Sequence, residues 1–139
     1  MPVWEAVNLM KLEAGVVYVL SNDHLVSVED QFFHFIDSED AHLPARPIDH
    51  FFNSLATGYG GKAIGIILSG SGTDGASGLK KIRATGGTAI VRNPKTTAYS
   101  EMPEHASEAG IANHILEPEL MPVTIEEIIN GAVSNIHGS

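Results

Sequence analysis

The amino-acid sequence predicts an α/β protein with an open, mostly parallel, doubly wound sheet, a β-hairpin and helices on both faces, in three layers. In the second half of the chain, apolar β-branched runs alternate with segments of helical spacing, which is typical of parallel sheets. Residues 63–68, AIGIIL, are apolar without alternation, as in strands that are covered on both faces. Two short apolar runs around a polar turn predict the hairpin.

The first half of the chain predicts three strands and a helix. Residues 15–20, GVVYVL, are β-branched and aromatic enough for a buried strand, and residues 24–37 predict two strands around a polar turn at Glu29 and Asp30. After a polar loop, Pro47 begins a helix that ends at the glycines that follow it. The apolar residues on one face of this helix are Ile48, Phe51, Phe52 and Leu55.

The second half predicts a strand–helix–strand unit, followed by another helix and strand. The helix after residues 63–68 has one apolar face and ends at Gly86 and Gly87, and residues 88–91 predict the next strand. We expect a right-handed crossover between these two strands. A helix over residues 100–110 and a short strand over residues 113–118 follow.

The terminal helix is expected to begin at Thr124. Thr124 and Glu127 have the spacing of a capping box, and Val123 and Ile128 are spaced to form a hydrophobic staple. The apolar face of this helix consists of Ile125, Ile128, Ile129, Ala132, Val133 and Ile136.

Composition restricts the classes of function. The formal net charge is −9, and the 8 Lys and Arg residues form no basic stripe, so we expect no nucleic-acid partner. The chain has no cysteine, no signal-peptide pattern and no apolar run near the roughly 20 residues that span a membrane. We therefore expect one domain over residues 1–139, located in the cytoplasm and without a membrane partner.

The segment GSGTDG, residues 70–75, lies between a predicted strand and a predicted helix and admits three interpretations. Its glycines have the G-x-G-x-x-G spacing of a nucleotide-binding loop, but Arg92 and Asn93 stand where an acid should bind the ribose. Asp74, or Thr73 in its place, can cap the following helix. Asp74 can also orient a histidine that serves a nucleophile, because active sites in such sheets lie at the carboxyl ends of strands. Capping and catalysis are compatible.

The chain resembles a known family over nearly its whole length. The segments VYVLSNDHLVSV, RPIDHFFNSLA, AIGIILSGSGTDGASGLKKIRATGG, MPEHASEAG and ILEPELMP are similar, in this order, to the catalytic domain of chemotaxis protein-glutamate methylesterases. Residues 93–122 are most similar to the version that is fused to a receptor methyltransferase. The resemblance implies hydrolysis of glutamyl methyl esters on chemoreceptors, with deamidation of glutamine as a second activity, and neither a cofactor nor a metal.

By this resemblance, Asp74 is the acid of a Ser-His-Asp triad. Ser71 stands where the family usually has methionine and would donate its backbone N–H to the oxyanion. Met102 and Pro103 match a dipeptide at the mouth of the site, although proline in the first turn of a helix is an equally good structural explanation. The other residues of the site loop are Gly70, Gly72, Thr73 and Gly75.

The resemblance also implies that two members of the triad are missing. In the family, the serine and the histidine precede the region that matches this chain, which corresponds to roughly the C-terminal two thirds of a catalytic domain. We therefore expect an incomplete domain with an open sheet edge and exposed apolar residues around Trp4. The expected partners are the cytoplasmic region of a methyl-accepting chemoreceptor, the missing N-terminal segment, a receptor methyltransferase domain and, through the open edge, a second copy of the chain.

Three alternatives stay open. A triad within the chain needs a serine such as Ser69, Ser71 or Ser77 and a histidine such as His24 or His105, but no G-x-S-x-G elbow is present. The fold could instead serve as a non-catalytic module that binds a receptor or methyltransferase, or as a nucleotide-binding domain. A loose group of acids and histidines has no recognised ligand spacing, so we expect a solvated acidic loop there and no metal site. Its members are His34, Asp37, Glu39, Asp40, His42 and His50.

Overall fold

The computed structural model describes residues 1–20, 24–37, 46–108 and 110–136, with Asp37 and residues 132–136 described by their backbone alone. Seven strands and four helices lie within these ranges. The strands are β1 (Val3–Glu5), β2 (Val17–Val19), β3 (His24–Glu29), β4 (Phe32–Asp37), β5 (Ile64–Ile67), β6 (Thr88–Arg92) and β7 (His114–Leu116). The helices are α1 (Pro47–Tyr59), α2 (Ala76–Ala84), α3 (Glu101–Glu108) and α4 (Met121–Ile136).

The central sheet has three parallel strands in the order β5, β6, β7. Ile66 on β5 lies opposite Ile90 on β6, and Ile90 lies opposite His114 on β7. Along the chain, α2 connects β5 to β6, and α3 lies between β6 and β7. The predicted strand–helix–strand unit is therefore confirmed, and with it the α/β class.

Packing is tightest around β6. Ala89, Ile90 and Val91 of this strand are fully buried, and so are Leu79 and Ile82 of α2. β6 is inaccessible because strands pair with both of its edges while α2 and α3 pack against it. Removal of this apolar surface from water is the main contribution to the stability of this half of the chain.

The first half of the chain is built around the predicted hairpin. β3 and β4 pair antiparallel over their whole length, and α1 packs on β3, where Val26 and Val28 are buried. The turn consists of Asp30 and Gln31, one residue later than predicted, with φ angles of 52° and 73°. Positive φ at both central residues is typical of a two-residue hairpin turn, which explains why the turn forms there.

Two strand predictions differ from the structure. β2 forms within residues 15–20, but it is not buried, because Val17 and Val19 are 43% and 50% exposed. β5 is not a central strand in the part of the chain that the structure describes, because only β6 pairs with it. The apolar residues of β1 are exposed as well, Trp4 to 43%. The chain therefore has the uncovered apolar surface near Trp4 that the sequence predicts.

The terminal helix begins three residues earlier than predicted. α4 starts at Met121, directly after a 3₁₀ turn at Pro118–Leu120. Thr124 therefore lies inside the helix, where its hydroxyl donates to the carbonyl of Leu120 at 2.9 Å. Val123 is half exposed. The predicted capping box is wrong because the preceding turn has already started the helix. Within the described ranges, none of the helices has the length and apolarity needed to cross a membrane.

Candidate functional site

The glycine loop of residues 70–75 lies at the carboxyl end of β5, immediately before α2. The backbone N–H of Gly70 donates to the carbonyl of Tyr99 at 2.9 Å, and the N–H of Met102 donates to the carbonyl of Gly70 at 3.1 Å. These two bonds hold the beginning of the loop against the segment that leads into α3. Open parallel sheets place their active sites at this end of their strands.

Two glycines of the loop are required by the path of the backbone. Gly75 has a φ of 104°, and a Cβ on this residue would lie 2.7 Å from Cδ1 of Ile67. Gly70 has a φ of 152°, and a Cβ there would lie 2.9 Å from Cε of Met102. Because other residues rarely adopt these φ angles and could not approach so closely, only glycine fits both positions without rearrangement.

Asp74 caps a helix, but the helix is α1 and not α2. Its Oδ2 accepts the backbone N–H of Ile48 at 2.8 Å, and its Oδ1 accepts the backbone N–H of Asp49 at 2.9 Å. The N-cap position of α2 belongs to Gly75, and no side chain of that residue is available to cap it. The prediction that Asp74 or Thr73 caps the following helix is therefore wrong. The fold brings the first turn of α1 to the carboxylate, where two N–H groups and the helix dipole stabilise its charge.

Asp49 makes the complementary contact. It is 6% exposed, and its Oδ1 accepts the backbone N–H of Gly75 at 3.0 Å and that of Gly78 at 2.7 Å. These two donors belong to the beginning of α2, so α1 and α2 cap each other through Asp74 and Asp49. The sequence reasoning missed Asp49. Its one signal in the sequence is that it is the acid in the first turn of α1.

Arg46 lies just before α1 and joins both sides of this arrangement. Its Nε donates to Oδ2 of Asp49 at 2.9 Å, and its Nη2 donates to the carbonyl of Thr73 at 3.1 Å and to the Thr73 hydroxyl at 3.4 Å. The pKa of Arg46 is raised above its ordinary value, first by the hydrogen bond to Asp49, then by the attraction of that carboxylate and, more weakly, of Asp74. A permanent positive charge therefore stands beside the two carboxylates.

An apolar groove of about 400 Å³ lies between the beginning of α1 and the end of β5 and is connected to Asp74 through Ile48. Ile48, whose N–H binds Asp74, contributes its side chain to the wall, and Met102 contributes from α3. Leu68, which follows β5, lines the groove and is 51% exposed. Among the described residues of the lining, the polar side chains are those of His24 and Ser69. The other lining residues are Leu20, Val26, Pro47, Phe51, Phe52, Ile66 and Ile67. A cleft of this volume and character can hold apolar side chains or a small ligand.

The remaining predicted site residues differ in their surroundings. Ser71 is exposed on the loop, and Gly72 has a φ of 80° with open space where a Cβ would lie. Pro103 is fully buried in the first turn of α3, which favours the structural explanation for this residue. Ser77 and His105 are exposed on the surfaces of α2 and α3. The groove brings together one serine and one histidine of the alternative triad, Ser69 and His24.

The nucleotide-binding interpretation is weakened by the contacts of α2. A phosphate at the beginning of this helix would need the N–H groups of Gly75 and Gly78, which the carboxylate of Asp49 already accepts. Arg92, the residue available for a 2′-phosphate, donates from Nε to the hydroxyl of Thr96 at 3.0 Å. An anionic ligand would therefore have to displace one carboxylate and one hydroxyl of the protein.

The acidic and histidine group lies partly outside the described residues, which exclude Glu39, Asp40, His42 and the side chain of Asp37. In the described part, Nδ1 of His34 lies 3.6 Å from Oε2 of Glu29. No three His, Cys, Asp or Glu side chains converge as metal ligands among the residues that the structure describes.

The sequence matches the profile of the CheB methylesterase family over residues 1–125. The chain belongs to this family. The crystal structure of the Thermotoga maritima CheB methylesterase catalytic domain matches the fold with a TM-score of 0.78 at 30% sequence identity. This match covers 91% of the CheB-type chain described here and 67% of the Thermotoga chain. The open α/β fold with helices packed on a parallel sheet is therefore that of the CheB catalytic domain.

Curated relatives of this CheB-type chain are longer than the chain itself. A Leptospira interrogans protein named as a protein-glutamate methylesterase/protein-glutamine glutaminase is 38% identical over 116 residues, which are 83% of this chain and 60% of that protein. The protein-glutamate methylesterase/protein-glutamine glutaminase 3 of Burkholderia orbicola is 42% identical over 106 residues, 75% of this chain and 31% of that protein. The CheB-type chain thus spans less than two thirds of the length of these relatives.

Proposed function

We propose that this chain supplies the aspartate part of a protein-glutamate methylesterase site. Asp74 is the acid of a Ser-His-Asp triad, the backbone N–H of Ser71 is an oxyanion donor, and the serine and histidine come from a segment outside these 139 residues. The observation that carries the proposal is the position of the Asp74 carboxylate in a CheB-family chain: it is held by two backbone N–H groups at the carboxyl end of β5, beside an open apolar groove.

Asp74 has the capacity for this role. A carboxylate offers about four acceptor positions, and two of them are used by Ile48 and Asp49, so an imidazole N–H can still be accepted. Because the two bonded N–H groups fix the plane of the carboxylate, the histidine would be held in one tautomer and one orientation. The charge of Asp74 would then stabilise the imidazolium that forms during the reaction.

The reaction follows the general course of ester hydrolysis by such a triad. The histidine removes the serine proton as the serine oxygen attacks the ester carbonyl, and the N–H of Ser71 meets the developing oxyanion. Collapse of the intermediate breaks the bond to the methoxy group, which takes the proton from the imidazolium and leaves as methanol. Water, activated by the same histidine, then hydrolyses the acyl-enzyme and releases glutamate. Glutamine would react in the same way, with ammonia as the leaving group.

The groove is the proposed docking place of the segment that carries the serine and the histidine. Ile66 of β5 and the following Leu68 present apolar side chains there, and the second edge of β5 is unpaired among the described strands. The Thermotoga domain supports this assignment because a third of it has no counterpart in this chain. A strand added to β5 would cover both the apolar side chains and the open edge.

The proposed substrate is the cytoplasmic region of a methyl-accepting chemoreceptor, which places the reaction in the cytoplasm. A receptor methyltransferase domain is a second proposed partner, and a second copy of the chain could pair through the open edge of β5 in the absence of the completing segment.

The test is methanol release from a methylated chemoreceptor fragment. The chain is assayed alone and after co-expression with the part of the Thermotoga catalytic domain that it does not match. We expect release only from the assembled protein, and we expect the Asp74→Asn variant to lose about 10³–10⁴-fold in rate because the histidine tautomer is no longer fixed. Asp30→Asn, in the exposed hairpin turn, is the matched control and should retain the rate.

Three results would contradict the proposal. Release by the chain alone that is abolished by Ser69→Ala or His24→Ala would show a triad within the groove. An assembled protein that binds the receptor fragment without releasing methanol would favour the non-catalytic binding module. Thermal stabilisation by NADP, absent in the Arg92→Ala variant, would instead revive the nucleotide-binding alternative.

A further inference from the structure

Asp49 is a buried carboxylate that the proposed reaction does not use. Its Oδ1 accepts the N–H groups of Gly75 and Gly78, and its Oδ2 accepts Nε of Arg46. Among the described residues it is the only charged side chain that is buried. We propose that Asp49, with Arg46, is a positioning residue that fixes the Asp74 carboxylate at one place beside the groove. The catalytic meaning of this placement rests on the proposed function, whereas the placement itself does not.

Each neighbour of Asp74 in the chain is tied to the beginning of α1. Nη2 of Arg46 holds the carbonyl of Thr73, and the Asp49 carboxylate holds the N–H of Gly75. Asp74 itself binds the N–H groups of Ile48 and Asp49. Three consecutive residues of the loop are therefore anchored to three residues at or just before the beginning of α1, namely Arg46, Ile48 and Asp49. A carboxylate flanked by glycines would otherwise be mobile, since glycine gives the backbone its greatest freedom.

The two helices approach closely enough for this exchange because residue 78 is glycine. A Cβ on Gly78 would lie 2.6 Å from Cβ of Phe52 and 3.2 Å from Oδ1 of Asp49. The contact between α1 and α2 is thus built around one small residue whose N–H is bonded to Asp49 at 2.7 Å. Asp49 cannot leave without exposing two donors at the beginning of α2 to apolar surroundings, so it restricts the loop to one arrangement.

A general stabilising role for Asp49 makes a different prediction from a positioning role. If Asp49 only stabilises the fold, its loss accelerates hydrogen exchange at the amides that exchange through global unfolding, such as those of the buried strand β6, at least as much as at the beginning of α1. If it positions Asp74, its loss accelerates exchange selectively at the amides that Asp74 binds. Those amides belong to Ile48 and residue 49, and neither is bonded to the Asp49 side chain.

The experiment is amide hydrogen exchange by NMR on the full chain, comparing the original protein with Asp49→Ala, which removes the acceptor of Gly75 and Gly78. We expect exchange at Ile48 and residue 49 to accelerate by at least about tenfold more than exchange at Ile90 and Val91 in the buried strand β6. Asp30→Asn is the matched control and should leave all four amides unchanged. A common acceleration at the four amides would overturn the proposal, and so would unchanged exchange at Ile48 and residue 49.

A second variant keeps the test decisive if Asp49→Ala unfolds the chain. Arg46→Gln removes the donor to Thr73 while both helix caps remain, and Arg46 is exposed enough for the fold to persist. We expect about a threefold selective acceleration at Ile48 and residue 49, because only one of the anchors is lost. Exchange at these amides that equals that of the original protein would overturn the proposal.

The assembled methylesterase gives a second readout. There, Asp49→Ala should lower kcat about tenfold and leave KM unchanged, because a displaced acid affects the transition state and not the binding of the receptor. If the assembled protein releases no methanol, the proposed function fails, while the exchange measurement on the chain still decides whether Asp49 positions Asp74. If methanol is released and kcat of the variant is unchanged, the proposed function stands and the positioning role is wrong.

Discussion

β5 and β6 are neighbouring strands that are both apolar at their centres, yet the structure covers them very differently. Ala89, Ile90 and Val91 of β6 are fully buried between two strands and the helices. On β5, Ile64 and Ile66 are only half-buried, because the second edge of the strand has no described partner. An apolar strand needs neighbouring strands and helices that bury its side chains. Within the described residues, β6 has these partners on both edges, and β5 does not.

The uncovered strand is also the one that leads to Asp74. β6 is followed by Asn93, whose side chain accepts the N–H of Lys95 in a local turn. β5 is followed by the glycine loop and by the groove beside it. Stable packing and the candidate site are thus separated within one sheet: the closed side holds the fold together, and the open side is the surface on which a site could be completed.

The largest expected effect on stability comes from a substitution in the closed core beside β6. Leu79→Ala, in the closed core against β6, should lower the free energy of unfolding by about 3 kcal/mol, because it removes a fully buried side chain and leaves a cavity. Leu68→Ala is the matched substitution on the open side, where the leucine is half exposed. It should lower the free energy of unfolding by less than about 1 kcal/mol. Urea denaturation followed by circular dichroism measures both.

Equal losses for the two leucines would show that the open side is covered in solution, for example by a second copy of the chain. Sedimentation then measures the oligomeric state of the original protein and of Leu68→Ala. A dimer that the variant weakens would explain the equal losses, whereas a monomer in both cases would mean that the comparison of the two sides is wrong. In the assembled protein with the completing segment, Leu68→Ala should lower the free energy of unfolding by more than it does in the chain alone, since the Leu68 side chain is then buried.

The next effect concerns the hydrogen bonds between Asp74 and the beginning of α1. Asp74→Ala should lower the free energy of unfolding by about 2 kcal/mol, because the N–H groups of Ile48 and Asp49 lose their acceptor. Thr73→Ala is the control, since its hydroxyl has only a 3.4 Å contact with Arg46. A larger loss for Thr73→Ala than for Asp74→Ala in the same denaturation experiment would mean that the cap has been assigned to the wrong residue.

A smaller effect concerns the face of β5 that packs against α2. Gly65 faces α2, and a Cβ there would lie 2.7 Å from Cδ2 of Leu79 and 2.8 Å from Cδ1 of Ile82. Gly65→Ala should therefore cost about 1 kcal/mol, because both neighbours lie in a closed core with little room to move. The control is Gly58→Ala in α1, where the nearest atom is 4.0 Å away and alanine should stabilise the helix. A stabilising Gly65→Ala would mean that this face of β5 is loosely packed.

Local signals in the sequence were sufficient for most of the elements. Pro47 and a one-face apolar pattern predict α1 to the residue at its beginning, and paired glycines after α2 predict its end closely. The hairpin and the strand–helix–strand unit follow from apolar runs and turns in the same way. These features depend on residues that are near one another in the chain, so a sequence pattern is sufficient to predict them.

The relations that depend on tertiary contacts could not be predicted in this way. Asp74 binds α1 across 25 residues, and Asp49 binds Gly78 across 29. A cap is expected from the adjacent helix, so nothing local indicates the exchange of caps between α1 and α2. The edge position of β5 likewise depends on which strands pair, and its apolar sequence is the same whether its partner lies in this chain or in another segment.

The smallest expected effect lies in the terminal helix, where a local rule fails. A capping Thr124 would lose about 1 kcal/mol on replacement by alanine. In the structure it lies inside α4 and bonds to the carbonyl of Leu120, so Thr124→Ala should change the free energy of unfolding by less than about 0.5 kcal/mol. Glu127→Ala, at the other position of the box, should be equally neutral. Losses near 1 kcal/mol for each variant, with a loss in the double variant that is smaller than their sum, would indicate that the two residues do form a capping box. The beginning of α4 would then be at Thr124. A neutral pair would instead place the start of the helix at the turn of Pro118–Leu120, whose geometry and not the threonine then starts the last helix.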